Sequence, residues 1–585
     1  MRLRRPPPPA PRAAPPAAAS AALGIFLLAF AFRLLFWQAT ADRALPYGVG
    51  FKGDAPTWLD WATALQRGVP FEGGVPLRPP GTAYLVAWLW DGSAAGIPAL
   101  RLAWCALGAL AVALLYTALR RTFGHRVALL AAYVCSASTG LLLLSSTLDA
   151  EVPYLVLVAA GFCLWSEVEA GDRLAVAAWG ALQGLACLLR VEHALCAALL
   201  LAWLALRRWR GRGFGFLAMR ALLAALVAAA ALLPWHRHAW QAIARFDDGS
   251  ERLDDPTAEA AVAAVEAQTA ALPWDAAALA ERRRLPAAVR RTTAAFVTAT
   301  VAWRGGREVK AESFEVLDEA FGWRPRPLQR HPFVALYGPL NFYLANRPES
   351  GGGFSSAPLA VPPPLVRGAA AYPPQLIAGL PPAGLALSYP PHLRLVEEGY
   401  RLGGRDVRRR PAAWVALELR KLAIFWRGAS LGLGGWGVPI GLAGLRRSVD
   451  LVTAEGAAAT LWGLGLLILV ALAWWHERRR PELTPWLLYG GSKVLVTLAF
   501  FGYARQGALV LPVVALLLAL PLERALADAP LRRRLVFAAL MALLLAEALR
   551  WQRHPPLRVD GRAMEGREPF GFEDHASRRI EVGRR

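Results

Sequence analysis

Apolar runs of about 16 to 22 residues recur along most of this 585-residue chain, and that recurrence limits what it can become. Inside a bilayer every backbone N–H and C=O must be satisfied within the protein, so runs of this kind form helices that span. Hydrophobic residues make up 56% of the chain. A soluble chain of this length would instead divide into several domains with polar surfaces. The expected fold class is therefore an α-helical polytopic membrane protein. Its spans fall at about 19–38, 98–119, 127–146, 150–166, 173–189, 192–206, 217–234, 456–475, 483–502, 506–524 and 533–551, roughly eleven in all.

Arginine supplies most of the net charge of +22 and sets the orientation. With the N-terminus in the cytoplasm and 80–90 not spanning, the cytoplasmic loops are 120–126, 166–173, 207–220, 476–480 and 523–534. Most of these are short and arginine-rich, as cytoplasmic loops are. A spanning 80–90 would invert every later loop. That run is too short to cross a bilayer as a helix, so it is expected to be re-entrant or to lie on the outer face. A basic excess distributed in this way points to membrane topology, and no nucleic-acid partner is expected.

The chain then divides into a disordered Pro/Ala/Arg tail (1–18), a membrane module (19–234) with a first outer loop (39–97), an outer-face insertion (235–455), C-terminal spans (456–551) and an outer-face tail (552–585). The insertion, rich in Pro and Gly, reads as a small mixed domain, and 411–428 within it as an interfacial helix. Ala39-Thr40-Ala41 imitates a signal-peptidase site, but the preceding run is long for a signal core and contains Arg33. The five cysteines all lie in apolar runs, with no CxxC pair and no disulfide framework.

On this topology the unusual polar residues gather on the outer side. They are Asp54, Asp149, Glu151, Arg190, Glu192, His193, His236, Arg237, His238, Lys421 and Arg505. Ionisable groups cost roughly 2.5–3.5 kcal/mol at a helix centre, so a cluster near one face points to a site for an anionic, membrane-delivered ligand. Each group also has a plainer use. Asp54, two residues before Pro56, makes a good helix N-cap. Asp149 and Glu151 fit a solvated turn, and Arg190, Arg237 and Arg505 fit lipid phosphates. His236 and His238 do not share a helix face, and no third metal ligand is evident.

The order and spacing of several segments resemble the GT-C membrane glycosyltransferases, in the protein O-mannosyltransferase and aminoarabinose-transferase branch. The segments are Asp54 with Trp58, Ala62 and Gly68; "RPPGTAYLVAWLW" from Arg78; "SSTLDAEVPYLVLV" around Asp149 and Glu151; "GPLNFYLANRPESGGGF" from Gly338; and "FGYARQGALVLPVVALLLAL" around Arg505. The likeness is good over 20–240 and loose over 330–525. Departures are Gly53-Asp54 in place of an acidic pair, Arg78 in place of lysine, and Gln506-Gly507 where Tyr-Arg is common.

The resemblance implies a sugar donor carried on polyprenyl phosphate and used at the periplasmic face of the bacterial inner membrane, the acceptor remaining open. It implies Asp54 as general base, with Glu151 or Asp149 beside it orienting the acceptor. It implies Arg78, Lys421, Arg505 and Arg237 as donor-phosphate ligands, and Trp58, Asn341 and Tyr343 as sugar or acceptor contacts. No cofactor is required by this scheme, which leaves room for a divalent metal ion. An O-antigen ligase or polymerase would use a lipid-pyrophosphate sugar on the same face. A transporter would show paired halves and broken helices at mid-bilayer.

Overall fold

The computed structural model describes residues 15–40, 54–68, 75–146, 148–212, 214–248, 332–347, 350–354, 390–433 and 457–527, with a few isolated positions besides. The expected span 533–551, the tail 552–585 and most of 245–330 lie outside the described residues.

The described chain is helical, with no strand among the described residues. It begins with α1 (Pro15–Thr40), α2 (Ala55–Arg67), α3 (Gly81–Leu89) and α4 (Ile97–Phe123). Next come α5 (His125–Ala137), α6 (Thr139–Ser146), α7 (Glu151–Cys163), α8 (Trp165–Ala170) and α9 (Arg173–Leu189). Two long helices follow, α10 (His193–Arg212) and α11 (Phe214–Asp248). The later part holds α12 (Gly338–Asn346), α13 (Pro390–Arg409), α14 (Pro411–Leu433), α15 (Ala457–Glu477), α16 (Thr484–Ala499), α17 (Ala504–Leu509) and α18 (Leu511–Ala527).

Four helical segments are long and apolar enough to cross a membrane: Ala19–Trp37, Ile97–Phe123, Ala218–Ala244 and Thr460–Glu477. Their outward faces are apolar. Leu23 and Leu27 on α1, Leu222 and Leu226 on α11, and Leu461, Ile468 and Trp475 on α15 are each more than half exposed. Unpartnered apolar faces of this extent belong against lipid.

Three expectations change. The insertion 235–455 is not mixed where it is described: α12, α13 and α14 are all helices, and no strand accompanies them. The reason is visible in α13, where apolar and charged residues separate onto opposite faces at helical period and Gly399 and Gly403 press against α12. The seventh apolar segment also does not stop at 234. α11 runs through Pro234 to Asp248, so His236, Arg237 and His238 stand within a helix. The segment expected as one span over 127–146 is two helices, α5 and α6, meeting at Ser138, whose backbone is extended.

α1, α4, α5, α6, α7, α16 and α18 build one continuous apolar core. α2 and α3 pack together and add Trp58, Leu59, Ala83 and Val86 to it, and the start of α3 lies on the end of α9. A Cβ at Gly81 would sit 2.8 Å from the Leu188 carbonyl oxygen, so glycine permits this approach. The segment before α3 is tied across to the segment before α12, through Leu336 N–H to the Pro76 carbonyl (2.9 Å) and Tyr337 N–H to the Leu77 carbonyl (3.1 Å). Arg78 is thereby carried to the end of the bundle at which α2, α7 and α10 begin.

Candidate active site

Asp54 occupies the N-cap position of α2, yet its side chain makes no cap hydrogen bond. The carboxylate turns away and accepts from Arg505 Nη1 at 2.6 Å. The same Nη1 lies 3.3 Å from Asp149 Oδ1, and Arg505 Nε lies 3.7 Å from Glu151 Oε1. One guanidinium, at the second residue of the short helix α17, thus gathers three carboxylates from α2 and from the turn into α7.

Local backbone explains how that turn presents two acids. Leu148 has φ of 55°, a left-handed conformation that a branched residue adopts only where its surroundings enforce it. Trp104 on α4 donates its indole N–H to the Asp149 carbonyl at 3.0 Å and holds the turn in place. Glu151 then begins α7, where a carboxylate also complements the helix dipole.

Behind Glu151 stands Arg190, between α9 and α10. It pairs with Glu151 and, at 2.5 Å through Nε, with Glu192 Oε1. Glu192 Oε1 also accepts from Gln506 Nε2 at 3.0 Å and lies 4.0 Å from Lys493 Nζ on α16. The result is a string of alternating charge: Asp54, Arg505, Glu151, Arg190, Glu192, Lys493. Asp54 and Arg505 are its most exposed members, at 36% and 26%; Arg190 and Glu192 are at 15% and 13%, and Glu151 and Lys493 at 1%. The open end is the Asp54 end.

Electrostatics follow this geometry. Burial pushes the Asp54 carboxyl up, but Arg505, Arg78 and Arg190 outweigh burial and hold it below the usual carboxylate range. Arg78 belongs to this neighbourhood and also faces Trp61, with its guanidinium carbon 6.0 Å from the ring centroid.

Of the residues expected from sequence, Asp54, Asp149, Glu151, Arg505 and Arg78 come together. Others do not join them. Lys421 on α14 is wholly buried and satisfied by Glu418 (2.7 Å), Asn346 Oδ1 (2.8 Å) and the Leu498 carbonyl (3.1 Å). Its amine is a tie between α14, α12 and α16. Arg237 is exposed on α11. Trp58 is a buried core residue packed edge-on against Trp61, with ring centroids 5.4 Å apart. Tyr343 packs against the smaller apolar cluster beneath α12, and Asn341 is half-buried on the same helix.

Three features have places in the fold that the sequence does not reveal. Lys493 was not singled out, although a lone lysine in "GGSKVLVTLAF" is the signal that marks intramembrane function. Gly507 answers to packing. A Cβ on Gly507 would collide with the Phe425 carbonyl, so α17 lies directly on the α14 backbone and leaves no room for a larger residue there. His193 is placed by Tyr154 (2.9 Å from Nδ1) and Gln183 (2.7 Å from Nε2), which makes it a neutral linker of α7, α9 and α10. Among the described residues no group of three His, Cys, Asp or Glu is arranged to hold a metal ion.

No curated protein matches the chain. Residues 77–236 match the model of a family described as dolichyl-phosphate-mannose-protein mannosyltransferase. The matched stretch carries Arg78, Asp149, Glu151, Arg190 and Glu192, five of the eight charged residues of the cluster. Together with the apolar helices, the match supports a membrane glycosyltransferase of GT-C type that draws on a lipid-linked sugar donor.

Proposed function

We propose that this protein transfers a hexosyl or pentosyl unit from a polyprenyl-phosphate donor to a hydroxyl or amine of an acceptor in the bacterial envelope. The acceptor classes are protein, lipid A and envelope glycan. Transfer takes place at the periplasmic face of the inner membrane, inverts the anomeric centre and uses Asp54 as general base. One observation carries the reading. Asp54 forgoes the cap bond available to it and instead faces Arg505 at the open end of a charged string.

In the resting arrangement Arg505 neutralises Asp54, which leaves the carboxylate a weak base. A donor phosphate arriving beside Arg505 and Arg78 competes for the guanidinium. As the ion pair loosens, burial raises the basicity of Asp54 when the acceptor is in place. The acceptor gives its proton to the Asp54 carboxylate, and its oxygen or nitrogen bonds to the anomeric carbon. The bond from that carbon to the phosphate oxygen breaks, and the electron pair leaves with polyprenyl phosphate. Charge develops on that phosphate, so Arg505 and Arg78 stabilise the transition state more than the ground state. Glu151 and Asp149 face the other side of Arg505, where they orient the acceptor or offset oxocarbenium charge.

The test is reconstitution of the purified protein with polyprenyl-phosphate sugars and envelope acceptors, read by mass spectrometry. Release of polyprenyl phosphate with a glycosylated acceptor is expected. Release of polyprenyl pyrophosphate would instead mark a ligase, and flux without bond cleavage a transporter. Cysteines placed at 78 and 91 should react with an impermeant reagent from the periplasmic side. Reaction at 91 only from the cytoplasm would separate α3 from the proposed face.

A further inference from the structure

Lys493 lies in an otherwise apolar turn of α16 and is 1% exposed. Its Nζ has no hydrogen-bond partner. Its surroundings are the Tyr154 ring, with the centroid 4.3 Å away, and Glu192 Oε1 at 4.0 Å. A buried ammonium without hydrogen bonds is costly, and an apolar residue of like volume would pack there at lower cost. What the lysine supplies in return is charge, and the acidic group it faces most closely is Glu192.

Glu192 is the junction of two routes to Arg505. Its Oε1 accepts from Gln506, the residue immediately after Arg505 on α17. The same oxygen accepts from Arg190, whose other arm holds Glu151, and Glu151 faces Arg505 Nε at 3.7 Å. Moving Glu192 would therefore shift Arg505 through the backbone of α17 and through the Arg190–Glu151 pair at once.

We propose that Lys493 is a positioning residue for sugar transfer: facing Glu192 from below, it fixes the carboxylate that aims Arg505 at the donor phosphate. The inference rests on the function proposed above. It assigns Lys493 no contact with substrate, and the burial of its amine at the closed end of the string agrees with that.

The experiment is a double-mutant cycle on the full-length protein in lipid nanodiscs, with a polyprenyl-phosphate sugar as donor. Lys493→Met is expected to lower kcat about 10- to 100-fold, the scale of loss when a reacting group is misplaced by about an ångström. The acceptor KM should stay within about three-fold, since only Arg505 is re-aimed. Glu192→Gln should produce a similar loss. The double variant should match Glu192→Gln within about two-fold, because Lys493 acts through Glu192 and their effects do not multiply.

A double variant ten-fold or more below Glu192→Gln overturns the proposal, as does a Lys493→Met protein with unchanged kcat. Lys493→Met leaves Glu192 with Arg190 and Gln506 alone and removes the second of its two cations. Where that single variant fails to accumulate, the comparison of Glu192→Gln with the double variant decides alone, since both lack the carboxylate charge. An unmodified protein that transfers no sugar refutes the function itself. An active parent with an additive cycle refutes only the role of Lys493.

Discussion

Arg505 and Lys421 are both cations facing carboxylates near the same end of the bundle, and the sequence offers no ground for telling them apart. Their surroundings differ in kind. Lys421 is inaccessible, and its three donors are already met by a carboxylate, a side-chain amide and a backbone carbonyl. Arg505 is 26% exposed and is shared among Asp54, Asp149 and Glu151 at 2.6, 3.3 and 3.7 Å, a looser arrangement with more acid than one guanidinium needs. A saturated cation holds helices together. A partly open cation with competing partners can trade one of them for a ligand. Capacity and access, more than charge, separate a tie from a site.

The sharpest break in this comparison is at Asp54. The Asp54 side chain makes no cap hydrogen bond, so Asp54→Asn takes none from α2 and should cost the fold no more than about 1 kcal/mol, the scale of a partly exposed ion pair. It removes the titrating group, and positioned general bases contribute roughly 10²–10⁴-fold in rate. The expected product is a well-expressed, inactive protein. Transfer within a few-fold of the parent would return Asp54 to a structural role and move the base to Asp149 or Glu151.

Arg505→Ala comes next. Loss of about 10²- to 10³-fold in kcat is expected when a preorganised group at a developing charge is removed. The variant carries a second signature in pH. Arg505 now helps hold the Asp54 carboxyl below its usual range against burial. Without it the burial effect gains, the pKa rises, and the acidic limb of kcat/KM, which reports the free enzyme, should move to higher pH. The stability sign follows. With a depressed folded pKa, the Asp54 contribution is complete above the unfolded value of about 3.9 and is lost as pH falls through the lower folded one. The parent should therefore lose this contribution only in strong acid, and the variant should have less of it to lose.

Lys421→Met should do the reverse of Arg505→Ala. It strands Glu418, 7% exposed, without its cation, and breaking a buried pair on one side costs about 3–5 kcal/mol. The unfolding midpoint should fall well below that of the parent. Turnover per folded molecule should stay within a few-fold, because Lys421 touches none of the four groups around Asp54.

What the sequence made legible follows the range of each signal. Helices are written locally, in runs and arginine clusters: ten of the eleven expected spans fall on helical residues among the described residues, but 127–146 and 506–524 are each divided between two helices, and 217–234 lies in one that runs on to Asp248. The role of Asp54 was left divided between cap and base because a cap is a local pattern, whereas its partner Arg505 lies 451 positions away. Lys421 looked like an interfacial cation for the same reason. Its Glu418 partner, three residues earlier, was in view, but Asn346, 75 positions off, was not. Lys493 sits mid-helix, where no loop or turn pattern marks it. The left-handed Leu148 that aims Asp149 has no sequence mark, since leucine carries no preference for that conformation.

Arg237 supplies the smallest expected effect and the control for the whole comparison. The sequence places it beside His236 and His238 at the end of an apolar run, with the same claim to a donor phosphate as Arg505. The structure carries α11 past that point, and Arg237 stands exposed on it. Exposed arginines with no buried partner contribute little to stability, within about 0.5 kcal/mol. Arg237→Ala should therefore leave the unfolding midpoint and kcat within about two-fold of the parent. A modest rise in donor KM would fit an arginine that meets lipid headgroups on the way to the site. If kcat instead fell as far as in Arg505→Ala, α11 would have to bend at Pro234 to bring Arg237 to the phosphate. The site would then be one that assembles only with donor bound, and access in the resting fold would no longer separate ties from ligands.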